Sequence, residues 1–188
     1  MKVKFKKCKE CKEEFLPKFF NQKFCFKESC QKIEIKRILD AQKRTQKKEW
    51  SKRKREIKER LKTRSERLND LQKIFNKFIR LRDKKQKCIS CDTFLKGKYD
   101  AGHYFSVGNY PELRFNEDNC HAQCVYCNRH LHGNINEYSI NIVKRIGKER
   151  VEQLENLRNK PLKLTEEEIE EKKMYYNLKI KNYESNGN

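Results

Sequence analysis

The stretch Cys88-Ile89-Ser90-Cys91, Asp100-Ala101-Gly102-His103, Asn119-Cys120-His121, Cys124-Val125-Tyr126-Cys127-Asn128 and His132 decides how this chain is read. Its two Cys-x2-Cys pairs stand 32 residues apart, a spacing that lets four thiolates close a tetrahedron around one zinc. Such a site is structural, because no position stays open to a substrate. Between the pairs, aromatic and β-prone residues predict a strand near Tyr99–Tyr104 and a second from Asn119 to Cys124. Gly108-Asn109 and Pro111 make the interval from Ser106 to Pro111 a loop. A short helix is expected from near Cys127 through Asn128 to His132, broken by Gly133-Asn134. Strand, loop, strand and helix, with a thiol pair at each end, make a ββα unit over residues 88–134.

Toward the N-terminus, Cys8-Lys9-Glu10-Cys11 is followed by Cys25 and Cys30, with Phe15, Pro17, Phe19, Phe20 and Phe24 between them. A Cys-x2-Cys knuckle with a second pair at the start of a helix predicts a four-cysteine zinc finger over residues 1–32. The metal replaces the core that so short a segment lacks. Nine cysteines in a secreted chain would suggest disulfides, whereas pairing at metal spacing suggests zinc. Cys120 is left over and reads as buried filler.

Residues 31–87 contain no Gly and no Pro, which allows one long helix or a broken pair. The part to about Arg55 is nearly all Lys, Arg, Gln and Glu around an isolated Trp50. It reads as a solvated helix, a disordered basic linker, or an arm that contacts phosphates through Lys52, Arg53, Lys54 and Arg55. Further on, Ile57, Leu61, Leu68, Leu71, Phe75 and Phe78 fall at alternating steps of four and three, with Arg64 interrupting. This heptad-like seam either packs on the neighbouring domain or pairs two chains as a homodimer through residues 57–82.

After the ββα unit, residues 135–188 read as helices. Tyr138, Ile142, Val143 and Ile146 form one face, ended by Gly147. Val151, Leu154 and Leu157 form the next, and Pro161 marks a break. Thr165 and Glu168 have capping-box spacing ahead of Ile169, Tyr176, Ile180 and Tyr183. The tail Ser185–Asn188 is expected to fray. The fold class is α+β and mostly helical. In order come the finger, a basic helical segment (33–87), the zinc-bound ββα unit and the C-terminal helices.

With 35% hydrophobic and 39% charged residues, the 188-residue chain is too polar for one large core. Its net charge of +20 favours a polyanion, because each Lys or Arg docked on a phosphate releases a counterion. An anionic membrane is the weaker reading, since no basic helix carries a strong aromatic apolar face. No run approaches the roughly 18 apolar residues of a membrane span. Met1 and Lys2 lead into Lys4, Lys6 and Lys7 without the apolar core of a signal peptide, so a cytoplasmic protein is expected.

The remaining polar residues suggest chemistry. A metal that activates phosphodiesters prefers oxygen and nitrogen ligands and keeps waters. Asn128 and His132, four apart, would share a helix face. His103, at the end of the first strand, can take a proton from water near neutral pH. A ribosomal type of RNA-binding protein has similar charge but does not need His103, Asn128 and His132 together.

These residues resemble the His-Asn-His (HNH) endonuclease motif. That resemblance implies His103 as general base and Asn119 as the central Asn that orients the loop or the base. It makes Asn128 and His132 ligands of a catalytic Mg or Mn. Cys127-Asn128 and the flanking zinc also resemble a phage endonuclease that resolves Holliday junctions. The likeness widens with Lys7-Cys8-Lys9-Glu10-Cys11, Pro17-Lys18-Phe19, Asp100-Ala101-Gly102-His103-Tyr104, Leu113-Arg114-Phe115-Asn116 and Arg145-Ile146-Gly147. These, with Cys88-Ile89-Ser90-Cys91, resemble the lambdoid phage NinG/Rap recombination proteins over nearly the whole chain. The implied activity is structure-selective cleavage of branched double-stranded DNA (D-loops, Holliday junctions), aided by two structural zincs and one divalent metal. Arg114 and Arg129 join Lys52–Arg55 as candidate DNA contacts.

One departure stands out. Many HNH sites carry an Asp or His ligand just before the base, where this chain has Gly102. Asp100 shares that strand face and is expected to supply the carboxylate, with His121 as a second candidate ligand. Strict alternation turns Asp100 and His103 to opposite faces, so either Gly102 permits a bulge or Asp100 acts differently. The missing carboxylate also supports a second reading, a non-catalytic zinc-finger DNA-binding recombination accessory protein.

Overall fold

The computed structural model describes residues 4–159 and 161–185. Met1, Lys2 and the tail beyond Ser185, about which the sequence raised expectations, lie outside the described residues. Contacts divide the chain into two units, Met1–Leu61 and Lys62–Asn188.

In the first unit, β1 (Lys6–Lys7) and β2 (Glu14–Phe15) pair antiparallel around the first knuckle. The Cys8 N–H donates to the Glu13 carbonyl at 2.8 Å and the Lys12 N–H to the Cys8 carbonyl at 3.1 Å. This tight turn places Lys12 at a φ of +64°. Phe15 and Phe24 pack with Cys8, Cys25 and Cys30 in a small core. Helix α1 (Glu28–Arg60) leaves from there with Cys30 as its one buried residue. It carries thirteen Lys and Arg against six Asp and Glu. Lacking Gly and Pro, the helix keeps its propensity, and pairs such as Glu28–Lys32 support it locally. Lys52, Arg53, Lys54 and Arg55 are all exposed on it.

The helical stretch breaks after Leu61. Helix α2 (Arg64–Arg82) starts at a capping box, in which Thr63 Oγ1 accepts the Glu66 N–H and the Glu66 carboxylate accepts the Thr63 N–H. The expected seam from Ile57 to Phe78 is therefore not continuous. Ile57 and Leu61 are exposed, whereas Leu68, Leu71, Phe75 and Phe78 are buried. Their cover is α5 (Glu166–Ser185), through Ile169, Tyr176 and Ile180. The apolar stripe of α2 is thus occupied within its own chain. Thr165 and Glu168 cap α5 reciprocally, as their spacing predicts.

Between these helices in chain order comes the hairpin of β3 (Tyr99–His103) and β4 (Cys120–Cys124). Its register is unbroken, from Tyr99 opposite Cys124 to His103 opposite Cys120. Ala101 and Cys120 turn toward the α2–α5 core with Phe75 and Phe115. The other face, with Gly102 and His121, meets Tyr138 of α3 (Ile135–Ile146). Tyr138 and Ile142 join Ile89, Leu113 and two residues of α4 (Lys148–Asn156), Val151 and Leu154, in a second core. Gly147, at a φ of +86°, makes the corner between α3 and α4. Val143 and Leu157, expected on packed faces, are exposed.

The end of α2 is tied to β4 by charge. Buried Asp83 receives Arg82 in a bidentate pair and accepts the Ala122 N–H at 2.9 Å. Arg82 also donates to the carbonyls of Cys120 and Glu117. Among the described residues no helix is long and apolar enough to cross a membrane.

Phe75 is fully buried against Phe115 and Tyr176. Phe75→Ala is expected to cost about 3–5 kcal/mol and Thr63→Ala about 1 kcal/mol in urea unfolding. Ile38→Ala, on the exposed part of α1, should stay within about 0.5 kcal/mol of wild type.

Candidate active site

The second knuckle repeats the first. The Cys88 N–H donates to the Thr93 carbonyl at 2.8 Å and the Asp92 N–H to the Cys88 carbonyl at 3.0 Å, with Asp92 at a φ of +55°. In each cluster a backbone N–H reaches the first sulfur at 3.3 Å: Cys25 to Cys8 Sγ, and Cys124 to Cys88 Sγ. Such donors stabilise a thiolate. The sulfurs of Cys8, Cys11, Cys25 and Cys30 lie within 4.8 Å of one another, and so do those of Cys88, Cys91, Cys124 and Cys127. Each cluster could hold a zinc ion. The second would join the start of the hairpin to the turn after it.

His103 ends β3. Its Nε2 is 3.1 Å from the Arg114 carbonyl and its Nδ1 3.8 Å from Cys120 Sγ, with the ring near Phe75. A carbonyl can only accept, so Nε2 carries the hydrogen and Nδ1 keeps a lone pair. Burial holds the imidazole pKa below its ordinary 6.5, so the ring is neutral at pH 7.

Asn119 explains why the Arg114 carbonyl is there. It is fully buried, its Oδ1 accepts the Phe105 N–H at 2.8 Å, and its Nδ2 donates to the Phe105 and Leu113 carbonyls. One amide thereby closes both ends of the loop that follows β3. The Arg114 guanidinium turns to α2 and bonds Gln72 and Asn69. Its side chain anchors the loop to that helix.

With the register unbroken, there is no bulge at Gly102, and Asp100 lies on the opposite face from His103. Asp100 receives the Asn128 amide at 3.1 Å and a bidentate pair from Arg129 at 2.6 and 2.9 Å. Hydrogen bonding from Arg129 is the main reason its carboxyl pKa lies below the usual range. Arg129, expected as a DNA contact, is thus the counterion of Asp100.

The expected helix is shorter than its spacing suggested. It is a π-type turn, Tyr126–His130, and His132 follows it at a φ of +48°. Asn128 and His132 therefore do not share a helix face, although both line one open groove of about 590 Å³ with Ala101, His103 and Gly133. His130 is exposed. His121 faces inward, with Nδ1 3.0 Å from Tyr138 Oη, and burial pushes its pKa down to about 3. A divalent cation suits the donor chemistry of Asp100, Asn128 and His132. Among the described residues, only the two thiolate clusters bring three or more His, Cys, Asp or Glu ligand atoms that close together. A cation beside Asp100 would therefore depend on amide oxygens as well.

The family model described as "Bacteriophage Lambda NinG protein" matches residues 1–186. The chain belongs to the NinG family. Protein ninG of Escherichia phage 933W is 37% identical over 186 residues, covering 94% of this chain and 92% of that protein. Protein ninG of Escherichia phage lambda is 37% identical over 188 residues, with the same coverages. Protein ninG of Salmonella phage P22 is also 37% identical, over 188 residues with those same coverages. No solved structure matches the chain significantly. NinG membership extends across both cysteine clusters and the hairpin between the second pair.

Purified chain should carry two zinc ions per molecule by metal analysis. Cys11→Ser and Cys91→Ser should each lower that number by one, with the other cluster still loaded. Loss of both ions in either variant would mean that the clusters are not independent.

Proposed function

We propose that this NinG-family chain is a metal-dependent endonuclease acting on branched DNA, such as D-loops and Holliday junctions, in phage recombination. The observation that carries this reading is the state of His103. Its Nε2 is fixed on the Arg114 carbonyl, its lone pair lies on Nδ1, 3.8 Å from the Cys120 sulfur, and burial keeps it neutral. A neutral imidazole so oriented can take the proton of a water attacking a phosphodiester. His103 shares its groove with Asn128 and His132. Asn119 acts on His103 through the loop and is a positioning residue. A divalent cation held by Asp100, Asn128 and His132 would offset the charge growing on the leaving 3′ oxygen. The basic residues of α1 offer phosphate contacts, consistent with the net charge of +20.

A second reading has an observation of its own. Asp100 is already neutralised by Arg129, and position 102 has no side chain. A zinc-stabilised recombination accessory protein that binds DNA without cutting it would tolerate both. It predicts junction binding with no metal-dependent nicking at any pH.

The test is nicking of a labelled four-way junction by zinc-loaded protein, with and without Mg²⁺ or Mn²⁺. His103→Ala should lose about 10²–10⁴-fold in rate while still binding the junction. Equal cleavage by wild type and variant would overturn the assigned role. Because the pKa of His103 is lowered, the active, deprotonated form persists to more acid pH than for an ordinary histidine. The acid limb of the rate profile should therefore have its midpoint below pH 6.5. A midpoint above that value would assign the limb to another group.

A further inference from the structure

Gln123 is fully buried, directly opposite Asp100 in the hairpin. Its Nε2 donates to Ser90 Oγ at 2.6 Å and to the Gly133 carbonyl at 2.5 Å. The Gly133 carbonyl can only accept, so the amide cannot be turned the other way. Its Oε1 is thereby aimed at Gly102, and among the described residues this buried oxygen has no hydrogen-bond partner. A buried acceptor left unpaired has lost its water without replacement, so its persistence calls for a reason.

Gly102 shows where that oxygen sits. A Cβ built on Gly102 would lie 2.1 Å from Gln123 Oε1. Gly102 is not among the glycines with positive φ, so its backbone would admit a side chain. Space excludes one, because the Gln123 carbonyl oxygen occupies the place where a residue-102 side chain would begin. Residue 102 immediately precedes the proposed base and shares its strand face with Asp100. Asn128 bonds Asp100, and His132 directly precedes the Gly133 carbonyl that holds the Gln123 amide.

We propose that Gln123 Oε1 is an oxygen ligand of the divalent cation, standing in for a side chain at position 102 and completing a set with Asp100, Asn128 and His132. This rests on the metal-dependent reading of the site given above. An amide carbonyl is a competent hard donor for Mg²⁺ or Mn²⁺, and here it is already oriented and desolvated. Without its own charge, it leaves Asp100 as the carboxylate of the set. Cation binding at Asp100 would then have to displace Arg129, leaving that guanidinium for a phosphate.

The test measures Mn²⁺ binding to the zinc-loaded full chain, by calorimetry and by the Mn²⁺ spin-resonance signal, without DNA. Asp100→Asn should weaken binding and serves as the reference. Gln123→Ala should weaken binding about tenfold or more, with two zincs still present. The double variant Gly102→Asp, Gln123→Ala removes the blocking oxygen and returns a carboxylate to position 102, and should recover Mn²⁺ binding. Wild-type affinity in Gln123→Ala would overturn the proposal and leave the nuclease reading intact. Loss of binding in Gln123→Ala with no recovery in the double variant, zinc content unchanged, would assign the amide to folding alone and also overturn it. Absence of Mn²⁺ binding and of nicking in wild type would defeat the metal-dependent reading itself. Nicking with no measurable Mn²⁺ binding at Asp100 would defeat the ligand assignment only.

Discussion

The meeting of four sulfurs around the β3–β4 hairpin is the constraint on which the second unit depends. Cys88 and Cys91 come from a knuckle before β3, and Cys124 and Cys127 from the junction of β4 with the π-type turn. A two-stranded hairpin is at best marginal in water by itself. Drawing its flanks onto one point fixes where β3 begins and where the helical turn leaves. Gly133 and Ser90, which hold Gln123, sit beside these cysteines. The candidate site residues therefore take their places beside a cysteine cluster that could hold zinc.

The hairpin is then gripped from two sides by different means. Its Ala101–Cys120 face lies on the aromatic core of α2 and α5, where Phe75 meets Phe115 and Tyr176. Its Gly102–His121 face meets Tyr138, whose hydroxyl donates to the Gly102 carbonyl. Polar groups buried at these contacts are almost all paired. Asp83 carries Arg82 and the Ala122 N–H, while Asn119 makes three bonds to its loop. Removing one partner from such a pair leaves the other desolvated and unmet, which costs more than the bond itself. Against that background the unpaired oxygen of Gln123 stands apart.

Charge is distributed unevenly between the two units. Helix α1 keeps its excess of Lys and Arg in solvent, where it can meet a polyanion at little desolvation cost. In the second unit, Arg82, Arg114 and Arg129 are turned inward or paired, holding β4, α2 and Asp100 respectively. Arginine suits both uses because its planar fork bonds carboxylates and carbonyls in fixed geometry.

Much of this was legible in the chain itself. Cysteine spacing alone identified both four-sulfur clusters, because a tetrahedral thiolate site imposes a local pattern. The hairpin, the capping of α5 by Thr165 and Glu168, and the Gly147 corner follow from equally local rules. The Thr63-x-x-Glu66 signature marks the break that interrupts the seam, but the regular apolar steps from Ile57 to Phe78 outweigh it in a one-dimensional reading. Other features needed tertiary structure, because they join residues whose spacing carries no signal. The Arg114 carbonyl meets His103 only through the loop closed by Asn119. Arg129 looks like a free cation until Asp100 is found beside it. His132 leaves the helix because residues 132–134 all adopt positive φ. Gly102 reads as a missing ligand in the sequence. In the folded chain it is a space filled by the Gln123 oxygen, and only cross-strand packing could decide that.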